Sequence, residues 1–115
     1  MVLLLDDDDD FRAALADNLR DDGHTVEQFG CAADVPLLTS LEPVSLLIVD
    51  QQLEGESGLE FADRFHATHP DVPVIMITAY DSRHLRAEVA RRDFIMLRRK
   101  PIDYAEVARL LPPRS

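Results

Sequence analysis

VLLLDDDDDF, residues 2–11, joins an unbroken apolar run to five consecutive carboxylates, Asp6 to Asp10. Four apolar residues without alternation suit a strand covered on both faces. Unit charges about 4 Å apart repel by roughly 1 kcal/mol in water and about 4 kcal/mol near a protein surface. A solvated tail tolerates that, but carboxylates fused to the end of a buried strand need a reason to be there. Runs of the same continuous kind recur at residues 44–49, 74–77 and 94–97, with a weaker one at 25–29 after the turn signal Asp21-Asp22-Gly23.

Helix-like segments lie between the runs. Phe11, Leu15, Asn18 and Leu19 recur at helical spacing among helix-favouring alanines. Residues 32–40 are expected to form a short helix, although Pro36 lies inside it. Residues 57–67 place Leu59, Phe61, Ala62 and Phe65 in a helical pattern that ends before His69-Pro70. Residues 82–91 and 103–111 are the last two helices, the second stopped by Pro112-Pro113.

The order is βαβαβαβαβα. Such alternation gives a parallel sheet with helices on both faces and right-handed crossovers. Five strands in one domain spanning residues 1–115 favour a doubly wound, flavodoxin-like sheet of strand order 2-1-3-4-5. Ligands bind such sheets beyond the carboxyl ends of the strands, where the order reverses. Asp6 and Asp7 follow the first strand, Asp50 the third and Thr78 the fourth, and Lys100 closes the fifth segment. Those carboxylates, a hydroxyl and an ammonium should meet in one shallow pocket.

That set has a definite chemistry. Clustered carboxylates bind a hard divalent cation such as Mg²⁺ through oxygen. A carboxylate is ionised at neutral pH and can attack phosphorus without a general base, giving an acyl phosphate. An ammonium and a hydroxyl can hold the remaining phosphoryl oxygens.

Composition narrows the alternatives. The net charge of −10 argues against direct nucleic-acid binding. Residues 1–60 carry 15 acidic and 2 basic residues, and residues 61–115 carry 7 acidic and 10 basic, so the charge is lopsided. Seven of the basic residues fall between Arg83 and Lys100, a patch suited to an acidic partner. No apolar stretch is long enough to span a bilayer and no signal peptide is recognisable, so a cytoplasmic location without membrane attachment is expected. Cys31 is the only cysteine, which excludes an internal disulfide. His66 and His69 have metal-like spacing but no third ligand, and are expected to be exposed.

Four motifs in order, "LLLDDDDDF", "LLIVDQQLEGESGLEF", "ITAY" and "RKPID", resemble the receiver domain of two-component response regulators, and the resemblance covers essentially the whole chain. It implies that Asp50 is phosphorylated by a histidine kinase or a His-containing phosphotransfer protein. It implies Mg²⁺ bound by Asp7, Asp6, Asp50 and the backbone carbonyl of Gln52. Thr78 and Lys100 would contact the phosphoryl group, Ala79 would leave an open path to Asp50, and the Lys100-Pro101 bond would be cis. The domain would act as a switch rather than a turnover enzyme. A downstream protein partner would be met on the face of the fourth helix, fifth strand and fifth helix, where Tyr80 and Tyr104 could contribute. Asp8, Asp9 and Asp10 are assigned instead to the start of the first helix, one as its cap and the others favoured by its dipole.

The chain departs from the pattern in places. Glu54 stands where receivers usually carry proline, and "ARRDF" replaces small residues before the last strand. Leu97 stands where a Tyr or Phe commonly swings inward as the threonine moves, so the switch would run through Thr78 and Leu97 packing or be read elsewhere. Two other readings compete. An aspartyl-phosphate phosphatase would need a general-acid Asp two residues after the nucleophile, where Gln52 stands. A pseudo-receiver, a protein-binding module independent of phosphate, would not need the acidic set.

Overall fold

Each apolar run becomes a strand whose alternate residues face opposite helical layers. The computed structural model describes residues 1–111. Its elements are β1 (Val2–Leu5), α1 (Asp9–Asp21), β2 (Val26–Phe29), β3 (Leu46–Asp50), α2 (Gly58–Thr68), β4 (Val74–Thr78), α3 (Arg83–Ala90), β5 (Ile95–Arg99) and α4 (Tyr104–Leu110). The strands are all parallel in the order β2-β1-β3-β4-β5, as expected. Leu3, Leu5, Leu47, Val49, Val74 and Met76 point to the layer of α2 and α3, where Phe61 and Phe65 are fully buried. Val2, Leu4, Leu46, Ile48, Ile75 and Ile77 point to the layer of α1 and α4, against Leu15, Leu19 and Val107. The period of two along each strand divides one continuous run between two cores.

Residues 32–40 do not form the expected helix. They make two short 3₁₀ turns, Ala32–Asp34 and Leu38–Ser40, joined through an extended Val35 at φ −74°, ψ 128°. The cause is Pro36. Its ring drives the preceding residue out of the helical region, and it has no N–H to donate. The segment still covers the sheet, because Leu38 and Val44 join the α2–α3 core.

The helix starts are specified locally. The Asp8 carboxylate caps α1 by accepting from Phe11 N–H at 3.1 Å, and Asp9 and Asp10 occupy its first turn, as expected. Ser57 caps α2 and Ser82 caps α3 in the same way. The last helix ends at Leu110, and the expected stop at Pro112-Pro113 lies outside the described residues. Among the described residues no helix is long and apolar enough to cross a membrane.

One long-range ion pair ties α2 to the turn before β5. Arg92 donates from Nε and Nη2 to the two carboxylate oxygens of Asp63, each at 2.7 Å. These hydrogen bonds hold the Asp63 carboxyl below the usual carboxylate range. A depressed folded-state pKa contributes stability above the unfolded value of about 3.9 and loses it as pH falls through the folded value. The Asp63 side chain is 45% exposed, so screening limits the contribution to about 1 kcal/mol. Asp63→Asn should therefore lower stability by about that much at pH 7 and by progressively less below pH 4, measured by urea unfolding.

Candidate functional site

Strand register builds the site. Leu5 pairs with Val49, so the next residues, Asp6 and Asp50, emerge side by side at the carboxyl ends of β1 and β3. Asp50 and Thr78 are the last residues of their strands rather than the first beyond them. β5 runs on to Arg99, and the Lys100 N–H donates to the Thr78 carbonyl at 2.7 Å, which brings Lys100 to the same end. The Lys100-Pro101 bond is cis.

The side chains converge. Lys100 Nζ lies 3.0 Å from Asp6 Oδ2 and 3.1 Å from Asp50 Oδ2. Its ammonium also sits 4.5 Å from the centre of the Phe11 ring. Asp6 and Asp50 are only 1% and 4% exposed, whereas Asp7 is open to solvent. One carboxylate oxygen from each of Asp6, Asp7 and Asp50 lies within 4.8 Å of the others. Backbone amides hold the two buried groups: Asp8 N–H donates to Asp6 Oδ1 at 2.8 Å, and Gln52 N–H to Asp50 Oδ1 at 3.0 Å. Asp8, Asp9 and Asp10 lie outside this triad, in the start of α1.

The electrostatics are unbalanced. Burial first, and then the Asp50 charge, push the Asp6 carboxyl up to about 6 against the opposing pull of the Asp8 N–H and Lys100. Burial works against the Lys100 charge, but its bonds to Asp6 and Asp50 outweigh that and hold its pKa above the ordinary value. Three carboxylates face one ammonium. An all-oxygen, net-negative donor set open on the Asp7 side fits a hard divalent cation.

Thr78 is fully buried. Its hydroxyl donates to Gln52 Oε1 at 3.1 Å and accepts from Tyr80 N–H at 3.0 Å. Leu97 is half-buried beneath α3 and is not part of the polar cluster. Tyr80 is 73% exposed, and the Tyr104 hydroxyl donates to Asp22 at 2.6 Å.

Sequence reasoning missed three contacts: the Gln52 side chain on Thr78, the Phe11 ring under Lys100, and Gly58 packed on the backbone of Asp50. An ideal Cβ at Gly58 would sit 2.2 Å from the Asp50 carbonyl oxygen. The only signal available was the Ser-Gly pair opening α2. The histidine expectation also needs correcting. His66 stacks on Phe94 at 3.7 Å and His69 on Phe65 at 4.4 Å, and both are half-buried, because flat rings at the end of α2 cover apolar edges of the core.

Comparison with known proteins agrees with this fold. The family model for the response regulator receiver domain matches residues 2–111. The C4-dicarboxylate transport transcriptional regulatory protein DctD of Rhizobium meliloti is 33% identical over 79 residues, 69% of this chain and 17% of that protein. The response regulator protein PilR of Pseudomonas aeruginosa is 28% identical over 110 residues, 96% of this chain and 25% of that protein. The chain thus spans a quarter or less of the length of these two relatives. Among solved structures, a response regulator receiver protein from Pseudomonas putida superposes with a TM-score of 0.85 at 23% identity, covering 95% of this chain and 92% of that one. A response regulator from Burkholderia pseudomallei, solved with a phosphorylated aspartic acid, a calcium ion and citrate, superposes at 0.83 with 23% identity, covering 97% of this chain and 66% of that one.

Proposed function

The chain belongs to the response regulator receiver family, and on that premise we propose that residues 1–115 form one phosphoacceptor domain whose acceptor is Asp50. Receiver domains are signalling switches of two-component systems rather than turnover enzymes. The observation that carries the reading is the meeting of Asp6, Asp7 and Asp50 within 4.8 Å, with Lys100 3.1 Å from the Asp50 carboxylate.

Asp50 Oδ2 attacks phosphorus, and the bond from phosphorus to the donor breaks: P–N in a phosphohistidine, P–O in acetyl phosphate. The leaving group departs with the electron pair of that bond. The acceptor is a carboxylate and needs no base. Lys100, already beside Asp50, turns its ammonium to the phosphoryl oxygens. Thr78 leaves Gln52 to donate to the same group, and that displacement is the switch, passed on through packing around Leu97. Asp6, Asp7, Asp50 and the Gln52 carbonyl would hold Mg²⁺, which when bound supplies charge neutralisation between acceptor and phosphoryl oxygens. The donor is a cytoplasmic histidine kinase or His-containing phosphotransfer protein. The output is a changed affinity for a downstream protein partner.

Incubation with acetyl phosphate and Mg²⁺ tests the reading. The intact mass should rise by one acid-labile phosphoryl group, and only when Mg²⁺ is present. A protein that stays unmodified under conditions that phosphorylate other receivers is a phosphate-independent binding module instead. Metal binding has its own signature. At tenfold excess over its dissociation constant, Mg²⁺ should add about 1.4 kcal/mol of stability and raise the melting temperature by several degrees. Asp7→Ala should lose most of that gain and leave the metal-free melting temperature almost unchanged, because Asp7 is exposed.

A further inference from the structure

β1 ends at Leu5, and the chain just beyond it carries two of the three carboxylates of the acidic triad. The Asp6 N–H still reaches the neighbouring strand, donating to the Phe29 carbonyl at 3.2 Å. The Asp6 carbonyl is taken by a side chain instead. Arg12, on α1, donates to it from Nη1 at 2.7 Å. Its Nε donates to Gln28 Oε1 on β2 at 3.2 Å, and its Nη2 lies 2.9 Å from Asp9 Oδ1. The Arg12 side chain is only 17% exposed, whereas Asp9 is 82% exposed, so the pair with Asp9 is solvated and contributes little. The surroundings make room for the guanidinium. A Cβ on Gly30 would sit 3.0 Å from Nη1, and Gly30 lacks the positive φ that by itself calls for glycine.

We propose that Arg12 is a positioning residue for the divalent-cation site, whose guanidinium fixes the Asp6 carbonyl and with it the peptide that carries Asp7. The inference rests on the metal reading above, since it names a residue that holds that site in shape. Asp6 is buried and its carboxylate is anchored by the Asp8 N–H. Asp7 is exposed, so its direction is set by the backbone that carries it. A planar guanidinium presents its donors at fixed angles and can bond the Asp6 carbonyl and Gln28 together; a lysine ammonium on a flexible stem cannot reproduce that fork. Charge does not explain the arrangement. A cationic group beside the carboxylates repels a divalent ion, so Arg12 serves the site through geometry. Residues that hold metal ligands in place change metal affinity by about 10–100-fold when they are replaced.

Arg12→Lys keeps the charge and Arg12→Gln removes it. Titrating the isotope-labelled full chain with MgCl₂, followed by NMR at the Asp7 and Asp8 amides, gives the dissociation constant without any phosphate chemistry. Urea unfolding in EDTA gives the metal-free stability of the same samples. Arg12→Lys should bind Mg²⁺ about tenfold more weakly than the parent while still folded. Arg12→Gln should also bind more weakly, though by less, because a repelling charge is gone. Uptake from acetyl phosphate should slow in Arg12→Lys at limiting Mg²⁺ and recover at saturating Mg²⁺, since Asp50 and Lys100 are untouched. An unchanged dissociation constant in Arg12→Lys, whatever the loss of stability, overturns the proposal. So does tighter binding by Arg12→Gln, and so does an uptake deficit that persists at saturating Mg²⁺. If neither variant folds, Gly30→Ala decides: it keeps Arg12 and presses on Nη1, so it should weaken Mg²⁺ binding, and unchanged binding overturns the proposal. A parent protein whose amides ignore Mg²⁺ would remove the metal site itself and the inference with it; a parent that binds Mg²⁺ no better than Arg12→Lys removes the inference alone.

Discussion

Asp50→Asn should abolish uptake of acid-labile phosphate from acetyl phosphate, with the intact mass unchanged after a treatment that modifies the parent protein fully. The substitution keeps the shape of the side chain, so the Gln52 N–H can still donate to an oxygen at that position. It removes the charge that makes the group a nucleophile, and a neutral amide oxygen does not attack phosphorus to displace acetate from an acyl phosphate or imidazole from a phosphohistidine. The loss should not be a folding loss. Burial and the Asp50 charge both push the Asp6 carboxyl upward, so neutralising position 50 relieves one buried repulsion while Lys100 keeps its contact with Asp6 at 3.0 Å. The metal-free variant should therefore unfold at an equal or higher urea concentration at pH 7. Its Mg²⁺-dependent stabilisation should shrink, since one of three anionic donors is gone. Phosphate appearing on the Asp50→Asn protein would move the acceptor elsewhere. Loss of phosphate together with loss of the fold would leave the assignment to Lys100→Met, which should keep the nucleophile and slow the transfer steeply.

The polar residues of this site were readable because each is fixed by something local. Asp6, Asp50 and Thr78 stand at the ends of apolar runs, and a parallel sheet sends all those ends to one side. Strand order then places β1 beside β3, so knowing where the runs stop is nearly enough to know which carboxylates meet. The failures share a different origin. Residues 32–40 look helical by composition, and one ring at position 36 overrides that preference. β5 continues through Arg98 and Arg99 because an edge strand is covered on one side only and accepts charge. The Gln52–Thr78 hydrogen bond links residues 26 apart, and His66 meets Phe94 from the turn before β5. No periodicity records such pairings; they follow from how helices settle on the sheet. Gly58 belongs to this second group, and it is the residue whose absence from a sequence reading matters most.

Gly58→Ala should destabilise the protein by about 2–3 kcal/mol or more and reduce phosphate uptake as well, although by helix propensity alone it ought to help. Alanine is favoured over glycine inside a helix by about 1 kcal/mol. Gly58 is the first residue of α2, directly after the Ser57 cap, and its N–H donates to the Gln51 carbonyl at 2.9 Å. A Cβ there would lie 2.2 Å from the Asp50 carbonyl oxygen and 2.8 Å from both the Asp50 carbonyl carbon and Gln51 Cα. All three atoms are backbone, so no side-chain rotation relieves the contact. Either α2 lifts from the sheet, opening the core around Phe61 and Phe65, or the end of β3 is displaced and Asp50 with it. Overpacking costs about 1–3 kcal/mol and occasionally more, and three backbone contacts below 3 Å put this site at or beyond the upper end, so about 2 kcal/mol or more remains after the propensity gain. Gly55 is the control that separates clash from backbone strain. It has φ +81° with nothing within 4 Å of a built Cβ, so Gly55→Ala should cost only the roughly 1 kcal/mol of a left-handed conformation, and Gly55→Asn less. Urea unfolding of the three variants, with acetyl phosphate uptake measured on the same samples, should rank Gly58→Ala well below both Gly55 substitutions. A Gly58→Ala protein as stable and as readily phosphorylated as its parent would mean that α2 does not press on the acceptor strand, and the fixed position of Asp50 would need another cause.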